Sequence, residues 1–268
     1  MRRLTAVLLS LMFAHAPATA SAGCDFSQWM SYKGTKLFRN TDKTAYSYKT
    51  SHSRIDADGA PNAYHPDDVG KNCTHEPHLG LDCPANAGYP NTTWWDSVLV
   101  VDPQNSHHAY VQPSGAFKGF FVAKTWLAAS PAVDDGLSAT NYVDATKIPY
   151  IVFPGTDFAQ LAGTGNRGDI GIAWNLSNGK WTPFVVADQG GGSEAKLGEG
   201  SIALYEALGG HDINAPNGAG VAPGEMLFVV FPKSAKIPRW PRTLNSIKEQ
   251  ADSLLASVGG LEKFKDCH

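Results

Sequence analysis

The residues best able to do chemistry gather in one stretch, Phe184 to Gly210, which reads FVVADQGGGSEAKLGEGSIALYEALGG. An apolar run ends at Asp188, a glycine-rich segment follows, and Glu199 then stands at the mouth of a short helical pattern. A carboxyl group at the end of a buried strand is costly to ionise and tends to keep its proton. A carboxylate at a helix N-terminus is favoured as the anion, because free N–H groups and the helix dipole point at it. Two acids in opposed surroundings, brought together by a loop, are what acid/base cleavage of a glycosidic bond requires. On that logic Asp188 protonates the leaving oxygen and Glu199 activates water, with the reverse assignment left open. The same two residues can also be a turn residue and a helix cap. A phosphate-cradling loop does not fit, since no Gly-Lys-Ser/Thr follows the glycines.

A second acidic motif is Ile55-Asp56-Ala57-Asp58-Gly59-Ala60. Asp56 and Asp58 could hold an ammonium group through charge-assisted hydrogen bonds, or simply close a type I turn at the glycine. Asp58, directly before Gly59, is the stronger candidate for a substrate contact. The motif is not a calcium loop, because the glutamate required twelve positions into such a loop is missing. Trp94 and Trp95 lie in a loop-rich region, where an exposed indole can stack on a sugar face; of two neighbours one is expected to be exposed. His75, His78, His107, His108 and His211 lack metal-ligand spacing, and no G-x-S-x-G elbow occurs. No metal or organic cofactor is expected.

The elements that must position these groups read as mainly β. SVLVVD (Ser97–Asp102), GFFVA (Gly119–Ala123), PYIVF (Pro149–Phe153), DIGIAW (Asp169–Trp174), TPFVVAD (Thr182–Asp188) and EMLFVVF (Glu225–Phe231) are short apolar runs bounded mostly by Gly, Pro, Asn or Asp, the signature of strands. Strands at this spacing predict a barrel of about six, specifically a double-psi-like β-barrel. Residues 24–95, rich in Gly, Pro, Asn and Asp, read as long irregular loops. A short helix is expected over Ser201–Leu208. A longer one over Thr243–Val258 places Leu244, Ile247, Ala251, Leu254, Leu255 and Val258 on one face, so it packs outside the barrel.

The chain opens with Arg2 and Arg3, an apolar run from Leu4 to Ala14, and small residues ending Ala20-Ser21-Ala22, the parts of a secretory signal peptide over residues 1–22. The apolar run is too short to span a bilayer, which takes about 20 residues. Residues 23–268 are then expected to be one secreted catalytic domain, monomeric and free of the membrane. Four cysteines in an exported chain point to two disulfides. Of three possible pairings the favoured one joins Cys73 to Cys83 locally and Cys24 to Cys267 across the ends. The formal charge of −3 becomes more negative when the two leader arginines go. That excludes a basic nucleic-acid binder and suits a cationic partner.

The Asp188–Glu199 segment resembles the chitosanases of glycoside hydrolase family 75, in which a strand ending in Gly-Asp and a glycine-rich loop lead into Gly-Glu-Ala-Ser before a short helix. The matching residues here are Ala187-Asp188 and Gly198-Glu199-Gly200-Ser201. Ile55 to Ala60 resembles the family's Asp-x-Asp-Gly-Ala loop. Ile148 to Phe153 resembles its Pro-Tyr-Val-Val-Phe strand, and Met226 to Phe231 a late Leu-Phe strand. The resemblance implies endo-hydrolysis of chitosan, a cationic β-1,4-glucosamine polymer, with inversion at the anomeric carbon. It places the two essential acids on Asp188 and Glu199. Ala187 and Gly200 depart from the pattern. Two other expectations remain: a peptidoglycan-acting lytic enzyme using Asp188 alone, and a non-catalytic glycan-binding protein.

Overall fold

The computed structural model describes residues 25–155 and 157–264. The chain opens as a meander of β1 (Phe26–Tyr32), β2 (Thr35–Asn40) and β3 (Tyr46–Thr50). Tyr32 pairs with Thr35, so Lys33 and Gly34 alone make the turn, at φ of 45° and 86°, as a two-residue primed hairpin demands. β4 (Arg54–Asp56) follows, and a long loop-rich stretch then carries the small pair β5 (Val101–Asp102) and β6 (Asn105–Ala109). The second half supplies β7 (Tyr150–Pro154), β8 (Ile170–Asn175), β9 (Trp181–Gly190), β10 (Glu199–Ser201) and β11 (Met226–Phe231). Among the described residues two α-helices accompany them, α1 (Ile202–Ala207) and α2 (Leu244–Ser257).

Among the described residues nine strands form one mixed sheet in the order β1-β2-β3-β11-β8-β9-β7-β10-β4. The pairings are antiparallel except β7 with β9 and β10 with β4. β7, β8 and β11 are buried along their whole length, which is why they read as unbroken apolar runs. α2, capped by the Thr243 side chain on the Ser246 N–H, lies on β8 and β9 and buries Ile247, Ala251 and Leu255.

The mainly β expectation holds, but the six-stranded double-psi-like barrel does not: among the described residues the hydrogen-bonded order is open, with β1 and β4 at its ends. Residues 26–50, expected as irregular loop, add three strands on one side. Conversely, Ser97–Asp102 and Gly119–Ala123 find no long partner. They shrink to β5 and to the single bridges Leu99–Ala123 and Val111–Phe121. The Cys73–Cys83 disulfide is present. The signal peptide and the Cys24–Cys267 pair lie outside the described residues. Among those residues, no helix is long and apolar enough to cross a membrane.

Candidate active site

Sheet register puts the chemistry in a row. On β9, Asp188 is the partner of Val152 on β7; on β10, Gly200 is the partner of Ile151, which sets Glu199 beside Val152 from the other side. Glu199 in turn is the partner of Arg54 on β4, and Ser201 of Asp56. Partnered residues share a face and neighbours alternate, so Asp188, Val152, Glu199 and Arg54 line up across four strands, with Asp56 one step away on the same side. Asp188 reaches that side only because the β7–β9 ladder slips between Ile151 and Val152. Ala187 is the extra residue. Were the register continuous, Val152 would face Ala187 and the carboxyl would point to the opposite face, the re-aiming that a bulge achieves.

The acids have different company. Asp188 is 8% exposed, and its Oδ1 accepts from the N–H groups of Gln189 (2.7 Å) and Trp126 (3.1 Å), which leaves Oδ2 as the seat of a proton. Burial, then the neighbouring Asp56 charge, pushes its carboxyl well above the usual range. Glu199 has a side chain 13% exposed and lies 3.3 Å from the Arg54 guanidinium. Burial and Asp56 push it up to about 7 against the opposing pull of Arg54. Glu199 is not the helix cap: Ser201 fills that place by accepting from the Leu204 N–H at 3.1 Å. Its anionic form is favoured by an ion pair, not by the helix dipole invoked from sequence.

Asp56 and Asp58 join the same cluster. One oxygen from each of Asp56, Asp58 and Asp188 lies within 4.8 Å of the others. Asp56 Oδ1 accepts the Asp58 N–H at 2.9 Å, so the motif is a turn as well as an acidic site. Tyr64 donates its hydroxyl to Asp58 Oδ1 (2.8 Å), and Tyr150 donates to the Asp58 carbonyl (2.9 Å). Burial and the nearby carboxylates push Asp58 well up. Carboxyl oxygens this close raise one another's cost of ionising.

Several members escaped the sequence reading. Asp82, beside the disulfide, is buried, accepts from the Cys83 N–H and the Asn86 amide at 2.7 Å each, and is pushed by burial up to about 6. Its position next to Cys83 was the available clue. Trp126 gives its N–H to Asp188 while Arg167 sits over its half-buried ring, 5.6 Å from the centroid, and bonds its carbonyl. Nothing in the local pattern marks it. Trp94 is 48% exposed, whereas Trp95 is 9% exposed and packed edge-to-face on Tyr89. Trp95 therefore belongs to the core, which corrects its place among the expected sugar contacts.

A comparison with curated proteins gives no match. The family model described as fungal chitosanase of glycosyl hydrolase group 75 matches residues 54–259, a span that begins at Arg54 and encloses every acid of the cluster. The chain belongs to that family of glycoside hydrolases.

Proposed function

We propose that this protein is an exported, endo-acting chitosanase that inverts at the anomeric carbon, with Asp188 as general acid and Glu199 as general base. Residues 23–268 would be its catalytic unit. One observation carries the assignment: the two acids flank Val152 on one face, one buried with backbone donors and the other paired with Arg54. In the reaction the Asp188 proton passes to the glycosidic oxygen as the bond to the anomeric carbon breaks. Glu199 takes a proton from the water that attacks that carbon from the opposite side. The acids sit on strands separated by β7, so their backbones are about 9.5 Å apart, two strand spacings. Inverting enzymes hold their carboxyl groups about 6.5–9.5 Å apart to admit that water. Asp56 and Asp58 offer negative charge to a glucosamine ammonium, and Trp94 and Trp126 offer rings to sugar faces.

The test is release of new reducing ends from chitosan, chitin and peptidoglycan by wild type, Asp188→Asn and Glu199→Gln. Wild type should cut chitosan, and each variant should lose on the order of 10²–10⁴-fold in kcat. Cleavage of peptidoglycan but not chitosan would overturn the substrate, and full activity in Glu199→Gln would overturn the pair. Binding without new ends would mark a non-catalytic protein. NMR of the first product should find the α-anomer; a β-anomer rules out single displacement.

A further inference from the structure

Within the row, Glu199 meets charged or titratable groups from every side. β4 brings Arg54 and Asp56, the loop after it brings Asp82, and Asp188 stands across β7. Tyr205 faces it from α1. His52 lies near both Arg54 and Lys196. Each carboxylate raises the cost of ionising Glu199, yet a general base must be an anion at the working pH. Arg54 is the cation in contact: its Nε stands 3.3 Å from Glu199 Oε1, and the parallel β4–β10 ladder makes the two residues direct partners. A guanidinium stays charged at any working pH, and the ladder fixes where it stands.

The geometry points to Arg54 as a positioning residue that eases ionisation of the Glu199 carboxyl and orients it along the row, so that it enters the reaction as base and not as a second acid. This rests on the assignment of Glu199 proposed above. Arg54 touches no reacting atom; it acts through Glu199. Its side chain is half-exposed and β4 is an edge strand, so solvent screens the pair in part and replacement leaves the sheet intact.

The experiment is the pH profile of kcat/KM on chitosan for wild type, Arg54→Gln, Arg54→Lys and Glu199→Gln, with thermal midpoints measured alongside. Loss of the guanidinium lets the Glu199 pKa rise, so the acid limb of Arg54→Gln should move up by about 0.5–1 pH unit. Arg54→Lys, which keeps the charge, should stay within a few tenths of wild type, and the alkaline limb should not move. An unmoved acid limb in folded Arg54→Gln overturns the inference. So does a shift of the alkaline limb, because Glu199 would then be acting as the acid. Full activity in Glu199→Gln means that the underlying assignment has failed; an inactive Glu199→Gln with an unmoved Arg54→Gln limb sinks the role of Arg54 alone.

Discussion

A group proposed to give a proton and one proposed to take it cannot share the same surroundings, and here single neighbours make the difference. Asp188 is held by two N–H donors on one oxygen, whereas Glu199 rests on Arg54. Asp58 depends on Tyr64 in a comparable way. The phenol hydrogen bond opposes the push that burial and the other acids exert on that carboxyl. Tyr64→Phe should therefore leave Asp58 protonated to higher pH and weaken its hold on an ammonium. The expected outcome is a several-fold higher KM for chitosan with kcat little changed, and about 1 kcal/mol lost in denaturant unfolding. An unchanged KM would remove Asp58 from substrate binding. At this scale much was legible. Asp56, Asp58, Asp188 and Glu199 were visible because carboxylates near glycines are conspicuous. Arg54, Asp82 and Trp126 were not, because their roles come from what lies across a strand or a loop and not from what lies beside them in the chain.

Elements decide which way these side chains point. The runs over Pro149–Phe153, Asp169–Trp174, Thr182–Asp188 and Glu225–Phe231 became β7, β8, β9 and β11, since strands buried on both faces declare themselves by hydrophobicity alone. β1, an edge strand, and β2 beside it stayed hidden because both mix buried with partly or fully exposed positions and show no unbroken apolar run, leaving only the Lys33-Gly34 turn as a signal. The bulge at Ala187 was equally hidden, as register is a property of two strands and not of one. Gly200, where the family pattern has Ala, has a local cause. A Cβ there would stand 2.7 Å from the Tyr150 carbonyl oxygen and 2.3 Å from Leu204 Cδ2, so β10 can lie against β7 only without a side chain. Leu204 can rotate, but the carbonyl belongs to the sheet. Gly200→Ala should cost about 1–3 kcal/mol in chemical denaturation and lower kcat by shifting Glu199. Wild-type stability and activity in that variant would mean that the ladder has slack.

For the whole molecule, the cluster couples protons to stability with a sign opposite to that of ordinary acid-denatured proteins. Asp188, Glu199, Asp82, Asp56 and Asp58 all have carboxyl pKa values raised by burial, with Asp82 at about 6 and Glu199 at about 7. The folded state therefore binds more protons than the unfolded chain, whose acids titrate near 3.8 and 4.5. Stability from these groups is full below those unfolded values and is lost as pH rises through the folded ones. Asp68 works the other way. Its carboxyl, held by the Leu79 and Gly80 N–H groups and Lys71, is lowered, so its contribution is lost only as pH falls below about 3.8. The two windows barely overlap, so the combined contribution of these groups is expected to be greatest near pH 4–5. Thermal midpoints measured from pH 4 to 8 without substrate should fall between about pH 5 and 7. Glu199→Gln and Asp82→Asn should each flatten that fall, since an amide has no proton to lose. A midpoint that instead climbs steadily to pH 7 would mean that the acids are ionised and separately solvated, and the raised Asp188 pKa on which its proposed role as general acid depends would be absent.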